Sequence, residues 1–115
     1  MTRLTRPISW IGAARRDFED FPQEAQTTCL RALTIAAEGG KADIVKPLKG
    51  LSSGVLEIAL RFRGDAYRAI YVVQLAEAVW VIHAFKKKST QGIKTQRREI
   101  DLIDKRLKWL KQALK

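Results

Sequence analysis

The sequence predicts an α+β fold in which two N-terminal helices pack on an antiparallel β-sheet and a C-terminal helix closes the structure. Three observations carry this expectation. Apolar residues recur at spacings of three and four over the first 40 positions, the period then changes to two, and it returns to three and four near the C-terminus. Connections between the alternating runs are short, whereas parallel neighbours need crossovers of about a dozen residues or more, so these strands are expected to form an antiparallel meander. The 115 residues, 46% hydrophobic and 30% charged, suit a single domain spanning 1–115.

Taken in order, residues 7–10 read as a short strand or lead-in. Ile11, Ala14, Phe18 and Phe21 then mark one helix face, and Pro22 interrupts it in a position suited to open a second helix. Ala25, Cys29, Ala32, Leu33 and Ala36 line that helix, which Gly39 and Gly40 stop. Cys29 lies on the apolar stripe and reads as a small core residue. Leu56, Ile58, Leu60 and Phe62 alternate with Glu57, Ala59, Arg61 and Arg63, the pattern of a half-buried strand. Gly64 and Asp65 supply a tight turn into a second strand over 67–74, and Glu77 and Ala78 turn the chain into a third over 79–85. Residues 86–94 are polar and basic and are expected as a loop, with Thr95 capping the last helix. Ile100, Ile103, Leu107, Leu110 and Leu114 give that helix a narrow apolar stripe.

Charge narrows the function classes. The formal net charge is +10, and residues 86–115 hold eleven basic side chains against three acidic ones. An excess of this size in a small domain points to a polyanionic partner, phosphate backbones first among them, bound by the second half of the chain. No apolar run approaches the roughly 18 residues of a membrane helix, and arginines and acids in the first 20 residues exclude a secretory signal. No membrane partner is expected, and a cytoplasmic location follows. One cysteine and one histidine rule out an internal disulfide and a Cys/His metal cluster, so neither a metal nor a cofactor is expected.

The candidate chemistry is cationic. His83 is the one side chain that titrates near neutrality unaided, and Lys86, Lys87 and Lys88 beside it would lower its pKa and attract phosphate. It alternates with Val79, Val81 and Phe85, which equally fits a structural histidine. Counting outward from Gly64-Asp65 sets Arg61 opposite Arg68, and like charges so placed imply either an anion between them or neutralisation by Glu57. Lys46 and Lys49 flank Pro47 and either contact phosphate or decorate a solvated loop. Tyr71 is a candidate for base stacking, whereas Trp10, Trp80, Trp109 and Tyr67 read mostly as core. No nucleotide-binding glycine loop, acid pair or Ser-His-acid set is present.

The runs KPLKGL (46–51), VLEI (55–58), GDAYRAIY (64–71), HAFKKKS (83–89) and KTQRREIDLIDKRL (94–107) together resemble the phage-derived branch of the RelE/HigB toxins of type II toxin–antitoxin systems. The resemblance spans nearly the whole chain in order and spacing. It implies a RelE-like fold and a metal-independent endoribonuclease that cuts messenger RNA, usually on the ribosome, and so halts translation. It also implies a cognate helix-turn-helix antitoxin, with operator DNA bound only through the toxin–antitoxin complex. On this resemblance Arg68, His83 and Lys87 are the catalytic set: Arg68 and Lys87 supply charge and His83 is acid or base. Lys46, Lys49, Arg61, Tyr71, Lys86 and Lys88 are the RNA contacts. Relatives often read ELR where this chain has Glu57-Ile58-Ala59, and Arg61 on the same face stands in for that arginine. The related ParE branch shares the fold but inhibits DNA gyrase without cutting RNA, and a folded, inactive toxin is the third reading.

Overall fold

A computed structural model describes residues 5–51, 54–88 and 95–115, with Lys88 described in its backbone alone. The chain runs β1 (Ile8–Trp10), α1 (Gly12–Glu19), α2 (Gln23–Ala37), β2 (Val45–Pro47), β3 (Val55–Phe62), β4 (Asp65–Leu75), β5 (Ala78–Lys88) and α3 (Arg97–Ala113). The α+β class is as the periodicities predict, and so is the order of elements apart from β2, which lies where a loop was expected.

Both N-terminal helices start from extended residues, Ile11 and Pro22, without a side-chain cap. The end of α2 is fixed by its glycines. Gly39 adopts a φ of +93°, and the Gly39 and Gly40 amides donate to the carbonyls of Ala36 and Ile35, closing orphan acceptors of the last turn.

The five strands form one sheet in the order β1-β5-β4-β3-β2. The three strands expected as an antiparallel meander are so paired, but β2, read from the sequence as part of a loop, adds a fourth antiparallel strand, and β1 lies parallel to β5, so the sheet is mixed. Two helices and three strands intervene between β1 and β5, a connection long enough to permit parallel pairing.

The β3–β4 and β4–β5 turns fall one residue earlier than the sequence suggested. Phe62 pairs with Asp65 around Arg63-Gly64, and Leu75 pairs with Ala78 around Ala76-Glu77. All four turn residues have positive φ, between 51° and 85°, the backbone sense that matches strand twist in a two-residue hairpin. The Arg63 guanidinium lies 5.2 Å from the Phe62 ring centroid, a cation–π contact that helps an arginine occupy this conformation.

The sheet separates two cores. On one face Phe18, Phe21, Ala25, Cys29, Ala32, Leu33 and Ala36 from α1, α2 and their junction pack against Ile58, Tyr67, Tyr71, Val79, Val81 and Ala84. On the other, Ile103, Leu107 and Leu110 of α3 cover Val55, Ile70, Val72 and Ile82.

A bulge in β5 lies between these layers. Tyr71 pairs with Val81 and Ile70 with His83, leaving Ile82 as the extra residue. Val81 belongs to the α1/α2 core, while Ile82 and His83 both turn toward α3. His83 and Phe85 therefore do not share the face of Val79 and Val81, as simple alternation predicted. Bulges re-aim side chains in this way.

The C-terminal end of β5 also departs from expectation. Residues 86–88 continue the strand rather than opening a loop; the rest of the expected loop, 89–94, falls outside the described residues. The position before α3 is Gln96, with no side-chain cap, so Thr95 is not the capping residue.

Candidate functional site

Paired residues of an antiparallel sheet share a face, so the register alone assembles a charged diagonal on the α3 side. Lys46 of β2 pairs with Glu57 of β3. Arg68 of β4 pairs with Ala59, two residues along from Glu57, and Lys87 of β5 pairs with Ala66, two residues along from Arg68. Lys46 and Glu57 thus face each other directly, and Arg68 and then Lys87 are each set two residues further along the sheet. Arg61 pairs with Ala66 and joins the same face as an exposed side chain.

The centre of the diagonal is closed from water: Glu57 is 2% exposed, Arg68 6% and Lys87 2%. Arg68 Nη1 donates to Glu57 Oε1 at 3.0 Å, and Thr95 donates its hydroxyl proton to Glu57 Oε2 at 2.6 Å. The same Arg68 nitrogen also donates to Thr95 Oγ1 at 3.3 Å. Buried cations are rare unless paired, and here a carboxylate and a hydroxyl receive one of them. The opposed Arg61–Arg68 pair does not form, because the earlier turn sets Arg61 against Ala66; of the two sequence alternatives, the ion pair with Glu57 is the one present.

Burial pushes the Lys87 ammonium below its ordinary value, and the Arg68 guanidinium and Lys46 push the same way against Glu57. The site therefore combines a fixed guanidinium, an amine that gives up its proton more readily than a free lysine, and an embedded carboxylate. Lys46 and Arg61, exposed on the same face, can hold a phosphodiester, while the guanidinium and amine beneath them are of the types that stabilise charge on its oxygens and move a proton once the buried centre is reached.

His83 stands beside this face with both ring nitrogens engaged. Arg106 Nη1 lies 2.8 Å from Nδ1 and Glu99 Oε1 lies 3.2 Å from Nε2. A guanidinium only donates, so Nδ1 accepts and Nε2 carries the proton given to Glu99. Burial and then Arg106 hold the ring pKa below 6.5, against the opposing pull of Glu99 and Asp17. The ring is 3% exposed and stacks on Phe85. In this arrangement no ring nitrogen is left to exchange a proton with a substrate. The structural reading of His83 thus prevails in the geometry over an acid–base one.

The remaining candidates scatter. Lys49 is exposed in the turn after β2. Lys86 points to the opposite face from Lys87, where it meets Asp65 at 3.2 Å, and it lines a cleft of about 600 Å³ along β5 whose walls also hold Asp17, Asp20, His83, Phe85 and Glu99. Tyr71 is fully buried in the α1/α2 core, its hydroxyl pKa raised by that burial, so it offers no stacking surface. The side chain of Lys88 lies outside the described residues.

Glu99, Arg106 and the true role of Thr95 were missed in the sequence. Glu99 and Arg106 are seven apart and flank Ile103, a spacing that puts both on the sheet-facing side of α3. No group of three or more His, Cys, Asp or Glu among the described residues could hold a metal ion, and no described helix is long and apolar enough to cross a membrane.

A model of the family described as phage derived protein Gp49-like matches residues 16–108. The chain belongs to this phage-derived family. Among solved structures, this Gp49-like chain is similar to an arginine-to-alanine double mutant of Escherichia coli toxin RelE in the free state. The identity is 18% and the TM-score 0.64, over 90% of this chain and 98% of that one. It also matches the toxin–antitoxin complex RelBE2 of Mycobacterium tuberculosis, at 17% identity and TM-score 0.49, over 76% of this chain and 97% of the other. The fold of the Gp49-like chain is accordingly RelE-like. No curated protein sequence matches it.

Proposed function

We propose that this Gp49-like chain is the toxin of a type II toxin–antitoxin pair and cuts messenger RNA on the ribosome. The observation that supports the reading best is the diagonal of buried Glu57, Arg68 and Lys87, flanked by exposed Lys46, on a RelE-like sheet. A message threaded over it would meet Lys46, Lys49 and Arg61, exposed on its margins, which hold the phosphates on either side of the scissile bond above Arg68 and Lys87.

In the reaction, the 2′-oxygen attacks the adjacent phosphorus while the bond from phosphorus to the 5′-oxygen breaks. The 2′-hydroxyl proton passes to a base, and the departing oxygen collects a proton, leaving a cyclic phosphate and a 5′-hydroxyl. Arg68 stabilises the charge gathering on the phosphoryl oxygens. Lys87, whose lowered pKa enlarges its neutral fraction, takes the proton-transfer role that the sequence assigned to His83. His83 instead ties β5 to α3 through Glu99 and Arg106. The partners in this reading are the ribosome-bound message and a cognate helix-turn-helix antitoxin, with operator DNA reached only through the complex of the two proteins, and the site of action is the cytoplasm.

The test is a reconstituted translation reaction on a defined message, with new RNA ends mapped by primer extension. New ends that require ribosomes, and that disappear with Arg68→Ala and Lys87→Ala, are the expected outcome. Ends made equally without ribosomes would make it a free ribonuclease. Intact message together with inhibited gyrase supercoiling would replace the nuclease by a ParE-like inhibitor.

A further inference from the structure

We infer that Thr95 and Glu57 are positioning residues for Arg68, and that the arrival of α3 on the sheet is what sets the guanidinium in place. The inference rests on the nuclease reading above for its catalytic consequence, and on the geometry of one triangle for its physical content.

Glu57 has three cations within electrostatic reach: Lys46 directly across on β2, Arg68 on β4 and Lys87 on β5. A carboxylate so surrounded could turn toward any of them. The Thr95 hydroxyl removes that choice. By donating to Oε2 at 2.6 Å it fixes the plane of the carboxylate, and the other oxygen, Oε1, then receives Arg68 at 3.0 Å. By accepting from the same Arg68 Nη1 at 3.3 Å, Thr95 grips the guanidinium from a second direction. A hydroxyl is suited to this because it donates and accepts at once, which neither a methyl nor an ammonium at that position would do.

Thr95 comes from outside the sheet. It stands two residues before α3, and α3 is moored by Ile103, Leu107 and Leu110 and by the His83–Glu99 and His83–Arg106 contacts. The sheet alone supplies the charges. The helix supplies the group that orients them.

Three proteins decide the matter: wild type, Thr95→Val and Thr95→Ser, each checked for an unchanged melting transition. The first readout is the side-chain NMR signal of the Arg68 guanidinium, which slows in rotation when its nitrogens are held. The second is kcat and KM for cleavage of the ribosome-bound message. The number of folded sites is counted by binding of a message carrying a 2′-deoxy nucleotide at the scissile position, where attack is blocked. The expected result is a held Arg68 signal in wild type and Thr95→Ser and a lost one in Thr95→Val. With it, kcat per folded site should fall roughly 10- to 100-fold in Thr95→Val, the equivalent of one hydrogen bond to a charged group, with KM little changed and serine restoring activity.

A held signal in Thr95→Val would overturn the inference, as would unchanged kcat in a variant whose signal is lost. A wild type that shows the held signal yet never cuts RNA would overturn the nuclease reading and the catalytic role together. If valine prevents folding, Glu57→Gln serves as the second variant: it keeps the side-chain shape but weakens the grip on Arg68. An unchanged signal and rate there would likewise overturn the inference.

Discussion

A single side chain, Glu57, carries more of the site than any of the cations the sequence brought forward. It is buried against Arg68 and Thr95, with Lys46 and Lys87 beside it. Removing it leaves a buried guanidinium without its carboxylate, so Glu57→Ala is expected to destabilise the fold by about 3 kcal/mol. Lys49→Ala and Arg61→Ala, both at exposed positions, should stay within about 0.5 kcal/mol of wild type. Urea denaturation of the three variants checks the contrast. His83 gives a second expectation at this scale. Its folded pKa lies below 6.5, so the unfolded chain binds the proton first as pH falls. Its stabilising contribution is therefore complete above pH 6.5 and drains away as pH drops through the folded value. The loss approaches about 1.4 kcal/mol per pH unit for one proton. His83→Gln should flatten that part of the profile, seen as a smaller gap in urea midpoint between pH 7.5 and pH 5.5 than wild type shows. The cations of the site were legible in the sequence because lysine and arginine stand out by type. Their partners were not: Thr95 resembles a helix cap and Glu99 and Arg106 a solvated helix surface until the sheet is placed beneath them.

Elements were read well where one periodicity governs a long segment, as in α2, β3 and α3, and less well where the chain reverses. Glycine drew the first turn onto Gly64-Asp65, yet the hairpin closes at Arg63-Gly64, with the arginine itself at a φ of 52°. That one-residue error turned Arg61 and Arg68 into opposing partners and suggested an anion between them. The second turn places Ala76 and Glu77 at φ values of 51° and 54°, a conformation that costs side chains bearing a Cβ. Replacing the pair by Asn-Gly, the residues this hairpin favours, should raise stability by about 1 kcal/mol, read as a higher urea midpoint at an unchanged slope. The parallel β1 and the bulge at Ile82 escaped the sequence for a related reason. Both depend on which distant strands meet, and period-two alternation carries no information about that.

For the whole molecule, charge is the property that the sequence states most directly and that folding distributes. The formal excess of +10 is sorted by the sheet: Lys87 joins Arg68 under α3, and Lys86 leaves for the other face to meet Asp65. If RNA lies along the diagonal, the logarithm of its affinity should fall linearly with the logarithm of salt, by about 0.7 per phosphate contact for a single strand. Lys46→Ala should lower that slope by one contact, whereas Lys86→Ala, on the far side of the sheet, should leave it unchanged. Titration of a short single-stranded message at four salt concentrations measures both. The RelE-like architecture was legible from residue runs spread along the chain, since order and spacing survive where identity to the solved toxin is 18%.

The extra residue at Ile82 sets the parity of every position after it on β5. Because it is there, the odd-numbered members of HAFKKK look toward α3, and the middle lysine of the three is the one beside Arg68. Were the bulge straightened with Ile82 retained and paired to Ile70, the frame would slip by one and Lys86 would stand across from Ala66 in place of Lys87. A lysine would still arrive. A run of three identical side chains thus keeps a lysine at that place through a one-residue slip of β5 in either direction. Among relatives, the lysine that stands beside the β4 arginine is therefore to be found by strand register rather than by column in an alignment.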